Sequence, residues 1–223
     1  MSVQQKNDGD KGTRERILDA AFRLFHEQGY HATSVATILR AAGVNPGSMY
    51  HAFLSKEALL EDVLTYALDL LGPSVMEPVE AATGDPLDRV FLLMKQYREG
   101  MAQAGCRMGC PIGNLALEVS DHHPAARELI HRNFDGWTAR VQGWLDAAGA
   151  RLPRTIDRGC LARFVLTVME GGLMQARAAG SPAPFDEAVG QLRELFRALE
   201  DKAESERSRR RKAHRIVRRK RDD

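Results

Sequence analysis

Two stretches of this sequence hold side chains that could do chemistry. One runs Gly105-Cys-Arg-Met-Gly-Cys-Pro-Ile-Gly-Asn-Leu-Ala-Leu-Glu-Val-Ser-Asp121, with His122 and His123 directly after it. Pro111 suits the first position of a helix, which puts Cys110 at the cap. The positive end of the helix dipole there favours thiolate, the reactive form. Cys110 is thus a candidate sensor of oxidants or electrophiles, or the nucleophile of a thiol enzyme. The competing role is a small buried hydrophobe at a tight turn. No histidine stands in a recognisable catalytic arrangement with Cys110. The Cys-x3-Cys spacing is not a usual zinc knuckle and adjacent histidines rarely converge on one ion, so neither a metal nor a cofactor is expected. Asn114 and Glu118, one turn apart, could orient a ligand in an apolar cavity, or both could face solvent.

The other stretch is Thr33 to Phe53, followed by Lys56. Its polar residues make sense only with the helices that hold them. Thr33 is placed to cap a helix whose apolar residues Val35, Ile38, Leu39 and Ala42 form one stripe. Gly43 ends it in the left-handed conformation and Val44 seals the end. Asn45 is then read as the cap of a second helix with Pro46 at its first position. Met49, Ala52 and Phe53 turn inward, which leaves Gly47, Ser48, Tyr50 and His51 outward. A glycine, a hydroxyl, a phenol and an imidazole are too polar for a core and suit phosphates and base edges. A turn of this kind also occurs in helical hairpins that bind nothing.

The flanks strengthen the DNA reading. Thr13 is read as the cap of a helix with Ile17, Ala20, Ala21, Leu24 and Phe25 inward, stopped by Gly29, and Ser55 caps a helix that opens with Lys56. Lys11, Arg14 and Arg16 could lie along a phosphate backbone or simply be solvated. From Thr13 to Leu60, and above all in Gly43-Val-Asn-Pro-Gly-Ser-Met-Tyr-His-Ala-Phe-Leu-Ser-Lys-Glu57, the chain resembles the N-terminal domain of the TetR family of bacterial one-component repressors. Two positions depart from the pattern: Pro46 stands where most members carry a basic residue, and Leu54 where most carry proline.

The resemblance implies an all-α fold of about nine helices. A helix-turn-helix head would be followed by a helical body for effector binding and dimerisation. Composition agrees with such a chain: 223 residues, 43% apolar and 28% charged, with an odd count of three cysteines that fits a reducing compartment. No apolar run reaches the 18 or so residues of a membrane span, and no secretory signal opens the chain, so a cytoplasmic protein is expected. The basicity is local. Residues 207 to 223 hold ten Lys and Arg against two Asp, a net +8, so the first 206 residues carry −6.

The body reads as helices with two duties. A helix from Ser55 to about Gly72-Pro73 ties head to body, and Glu77 to Gly84 reads as a linker. Asp85-Pro86 opens a helix carrying Phe91, Met94 and Tyr97, a stripe that is either core or the wall of the effector cavity the resemblance places here. Trp137, on a helix from Pro124, and Met169, on one from about Ile156, are further candidates for the same cavity. The last two helices, with Phe164, Val168, Gly172 and Ala176 on one and Val189, Leu192 and Phe196 on the other, have the small and apolar surfaces of a dimeric four-helix bundle. Packing within one chain would use the same residues.

The expected organisation is an arm (1–11), a head (12–56), a body (57–202) and a disordered basic tail (203–223). The leading reading is a homodimeric repressor that binds a palindromic operator and is released by a small apolar or aromatic effector. In it Asn45, Pro46, Gly47, Ser48 and Tyr50 read the DNA while Thr33, His51 and Lys56 hold phosphates. The alternatives are the Cys110 thiol sensor or enzyme, and a non-specific nucleic-acid binder acting through its tail.

Overall fold

Local chemistry sets where most of the helices begin and end. A computed structural model describes residues 12–222; the side chains of Ser48 and Tyr50 and those from 213 onward lie outside that description. The described chain is all-α. α1 (Thr13–Gln28), α2 (Val35–Ala42) and α3 (Ser48–Ala52) form the head with the start of α4 (Lys56–Leu70). The body consists of α5 (Glu77–Ala82), α6 (Pro86–Gln103), α7 (Pro111–Val119), α8 (Pro124–Ala147), α9 (Arg158–Ala179) and α10 (Ala183–Asp222).

The helix ends follow the residues. Gly43 takes φ 63°, ψ 39° and the amide of Val44 donates to Leu39 at 3.1 Å, the closure expected past α2. Ser55 accepts from Ala58 N–H, and Asp85 accepts from Leu87 and Asp88 ahead of Pro86. Other caps fall elsewhere than expected. Gly12, not Thr13, stands before α1, and its N–H is held by the Glu15 carboxylate at 3.2 Å. Ser34, not Thr33, caps α2, accepting from Thr37 N–H at 3.1 Å. α3 starts at Ser48 behind Gly47, so Asn45 and Pro46 belong to the turn and no side chain caps this short helix.

The expected linker is helical. α4 does not stop at Gly72-Pro73 but passes through a π-helical turn, Leu71–Met76, into α5. Proline supplies no N–H and crowds the carbonyl four residues back; a wider turn relieves both without ending the helix. Counting α5, ten α-helices are described, close to the expected number.

The tail differs from expectation as well. α10 runs for 40 residues, to Asp222, so the basic stretch continues the last body helix. Residues 201–222 contain no Gly or Pro and are rich in Arg, Lys, Ala and Glu, all good helix formers. Glu194 with Arg197, and Glu204 with Arg207, form ion pairs one turn apart along its surface.

One apolar core joins head and body. It runs from Ile17, Phe25, Ile38 and Phe53 through Leu59, Leu60 and Leu64 on α4 to Leu93, Val141, Leu145, Val165 and Leu173. α4 packs on α8, where the Asn133 amide donates to the Leu64 carbonyl at 2.9 Å inside the interface. α9 packs closely on α10. A Cβ at Gly172 would sit 2.9 Å from the Phe185 ring, so the glycine is what lets these helices approach.

Candidate nucleic-acid interface and effector core

The exposed rim of the head is the turn into α3. Asn45, Pro46, Gly47 and His51 are all exposed, while Met49 and Phe53 anchor the turn from below at 1% and 4% exposure. Ser48 and Tyr50 lie on the same short helix, and their side chains fall outside the described residues.

Several expected phosphate contacts are engaged within the fold instead. Thr33 is fully buried; its hydroxyl lies 2.6 Å from the Gly29 carbonyl and 3.3 Å from that of Leu24. Ser34, one residue on, is the exposed hydroxyl there, and the one-residue displacement of the cap is the physical reason. The Lys56 ammonium donates to the Tyr30 carbonyl at 2.7 Å and rests 4.1 Å from the centre of the Tyr30 ring; burial lowers its pKa. Arg14 pairs with Asp62 at 2.7 Å and covers Phe53, and Arg16 reaches the carbonyls of Ala42 and Gly43 at the end of α2. Lys11 lies outside the described residues.

The head is fastened to the body by α7. Glu118, expected in the effector cavity, instead turns toward the head. Its carboxylate accepts the N–H of Tyr30 at 2.8 Å and of His31 at 2.5 Å, 88 and 87 residues away in sequence. These amides lead out of α1 toward α2, and charge-assisted bonds of this type are about twice as strong as neutral ones. Gly29 makes the approach possible. Its φ of 87° suits glycine, and an added Cβ would meet Glu118 Oε2 at 2.8 Å. Two further contacts complete the junction. His26 Nε2 lies 2.7 Å from the Gly109 carbonyl just before α7, and the Tyr30 ring stands edge-on to His123 just before α8. Burial, the largest influence, lowers the His26 pKa, which keeps the ring neutral with Nε2 donating.

The other end of α7 enters a buried polar cluster. Cys110 caps the helix as expected, but its environment opposes thiolate. Burial and then the neighbouring Glu170 push the thiol well above its ordinary value. Burial and a carboxyl neighbour thus both disfavour the thiolate on which a sensing or nucleophilic role for Cys110 would depend. Glu170, on α9, escaped notice in the sequence because one acid inside an apolar helix looks like a solvent-facing residue. Burial lifts its carboxyl to about 7. Partly buried Tyr97, from α6, brings its phenol beside Trp137 of α8 without the geometry of a hydrogen bond to Nε1, and burial raises the phenol's pKa too.

The cluster is incompletely paired. Asn114 Nδ2, Trp137 Nε1 and Glu170 Oε1 are buried without a hydrogen-bond partner. Leaving such atoms unpaired costs about 1–3 kcal/mol each, so folded proteins keep few of them. Met94 and Met169, at 1% exposure each, belong to the surrounding core. Phe91 faces away from the cluster. Its ring is edge-on to Phe196 at 5.3 Å and lies under the Arg193 guanidinium, so it packs α6 onto α10.

The expected dimer face divides in two. Phe196 and Ala176 are buried inside their own chain, 2% and 0% exposed, because α9 and α10 face each other and α6 before they face outward. Phe164 remains exposed and Val168 half-buried along an outer groove of about 400 Å³, whose base is formed by Gly172 and Leu192. Val189 is half-buried against the core. Leu195, at 37%, and Met174, at 57%, add apolar surface to α10 and α9.

Among the described residues no group of three or more His, Cys, Asp or Glu could hold a metal ion, and no helix is long and apolar enough to cross a membrane.

Comparison with known proteins places these features in a lineage. Residues 17–63 match the family described as bacterial regulatory proteins, tetR family, and residues 86–192 match the tetracyclin repressor-like C-terminal domain. An uncharacterised HTH-type transcriptional regulator of Mycobacterium tuberculosis is 31% identical over 193 residues, spanning 84% of this chain and 96% of that protein. The HTH-type transcriptional repressor DhaR of Mycobacterium sp. strain GP1 is 26% identical over 83% of this chain and 91% of its own length. The crystal structure of a TetR regulatory protein from Rhodobacter sphaeroides superposes with a TM-score of 0.75 at 26% identity, covering 83% of this chain and 97% of that one. With a helix-turn-helix head, a helical body and family matches over both, this chain is a member of the TetR family of bacterial DNA-binding transcriptional regulators.

Proposed function

We propose that the protein is a ligand-responsive repressor that binds a palindromic operator as a homodimer and is released by a small-molecule effector. The observation that carries this reading is α7. One end holds Cys110 and Asn114 in the buried polar cluster; the other holds the Tyr30 and His31 amides through Glu118. A ligand that moves this helix acts on the chain just before α2, and regulation of this kind needs a coupling of only about 1–3 kcal/mol. The name of the relative DhaR as a repressor supports the direction of control.

On the DNA side, Asn45, Pro46, Gly47, Ser48 and Tyr50 read base edges from the major groove, and His51 with Ser34 contacts phosphates. On the dimer side, the groove beside Phe164, Val168 and Leu195 receives the same surface of a second copy. Apolar exposure on two adjacent helices is what a self-complementary four-helix bundle covers.

Footprinting upstream of the protein's own gene tests both parts. Two protected half-sites related by two-fold symmetry, with centres about 34 Å or a multiple apart, are expected. A single asymmetric footprint would rule out the dimer on a palindrome.

A further inference from the structure

The polar cluster contains more hydrogen-bonding capacity than the fold uses. Four helices contribute: Tyr97 from α6, Cys110 and Asn114 from α7, Trp137 from α8 and Glu170 from α9. Gly113 lets the Glu170 carboxyl reach the start of α7. A Cβ there would overlap Glu170 Oε2, so the first turn of α7 carries a glycine, at some cost in helix propensity, and the carboxyl occupies its place. Two of the unpaired atoms, Trp137 Nε1 and Asn114 Nδ2, can only donate, and Trp137 is 97% buried by its 3% exposure. The third, Glu170 Oε1, accepts when the carboxyl is ionised or turned.

We propose that these three atoms form the head-group subsite for the effector, and that the head group is a planar carbonyl bearing a hydrogen-bond donor. This chemistry is shared by a carboxamide and by a carboxylic acid held un-ionised. The inference rests on the effector reading above. The carbonyl oxygen accepts from Trp137 Nε1 and Asn114 Nδ2 while the amide N–H or acid O–H donates to Glu170 Oε1. An ester supplies no donor and leaves Glu170 unpaired. An ammonium supplies no acceptor and leaves the indole and the Asn114 amide unpaired. Buried polar groups left without partners are the strongest source of discrimination between ligands of equal size. The remainder of the effector is apolar, because Met94, one turn from Tyr97 on α6, and Met169, next to Glu170 on α9, are buried apolar side chains.

Two matched probe sets test this on the full-length protein: benzamide, benzoic acid, methyl benzoate and benzylamine, and the four butyl counterparts. The readout is the side-chain indole N–H resonance of Trp137 in 15N-labelled protein, identified by its loss in Trp137→Phe, and, in parallel, release of promoter DNA. The amide or the acid of at least one set is expected to shift that resonance saturably, with the ester and the amine at least about tenfold weaker. Amide alone or acid alone then identifies which form of the shared chemistry is taken. Glu170→Leu is expected to weaken the binding about tenfold or more, and Asn114→Leu provides an independent check if that variant does not fold. No shift with any probe at millimolar concentration, or equal shifts with ester and amine, overturns the subsite. A shift of the Trp137 resonance without DNA release supports the subsite and refutes ligand responsiveness. Release without a shift refutes the subsite and leaves ligand responsiveness standing.

Discussion

Glu170 makes the clearest demand on solution behaviour at the scale of single residues. Its carboxyl is raised to about 7 in the folded chain against 4.5 ordinarily. Between those values the folded protein holds a proton that the unfolded chain has lost, so stability falls as pH rises through that window. Glu170→Gln removes the penalty. Urea unfolding should show the variant more stable than the parent above pH 7, by up to about 3 kcal/mol, and equal near pH 4.5. Gly29 is the second such position. With φ at 87° and Glu118 Oε2 where a Cβ would lie, Gly29→Ala should destabilise by about 1–3 kcal/mol, measured by the same unfolding curve. Gly29 was legible as a helix stop, because a cap is a local matter. Its second role was not, because Glu118 lies 89 residues further along. The same distinction separates Ser55 and Asp85, whose partners are two or three residues away, from Lys56, whose carbonyl partner on Tyr30 no local pattern discloses.

At the scale of elements, α7 is the joint. Its nine residues span about 13 Å, enough to link the buried cluster to the head. Glu118→Ala should leave the body folded and release the head end. Hydrogen exchange at the Tyr30 and His31 amides is then expected to quicken about tenfold or more, while exchange in α8 stays as before. His26 adds a pH dependence of opposite sign to that of Glu170. Its pKa is lowered in the fold, so the unfolded chain binds a proton first as pH falls below its ordinary value of 6.5, and the docking of α1 on Gly109 weakens there. The periodic stripes of α1, α2, α6, α8 and α9 were readable because their apolar spacing matches a helical turn. Which stripe meets which was not: Phe91 fitted a cavity wall equally well until α10 brought Phe196 onto it.

The whole molecule has two poles. α8 begins beside Tyr30 of the head and ends, 24 residues and about 36 Å later, near Arg151, which ties Asp85 to Glu200. α10 runs from Asp186, paired with Arg98, toward that far pole, so its basic end leaves the body on the side away from the exposed turn into α3. Removing residues 207–223 should therefore leave promoter-selective affinity unchanged while reducing salt-sensitive binding to any duplex. The proposed dimer is tested by Phe164→Glu combined with Leu195→Glu, which should sediment as a monomer. The measurement with the most direct bearing on a DNA-reading regulator is fluorescence anisotropy with the promoter of the protein's own gene and a scrambled duplex, at two salt concentrations, for the full chain and residues 1–206. Tight binding to the promoter alone, kept by the shorter chain, is the expected result. Equal binding to both duplexes that disappears with the tail would contradict it and make the basic helix the sole binder.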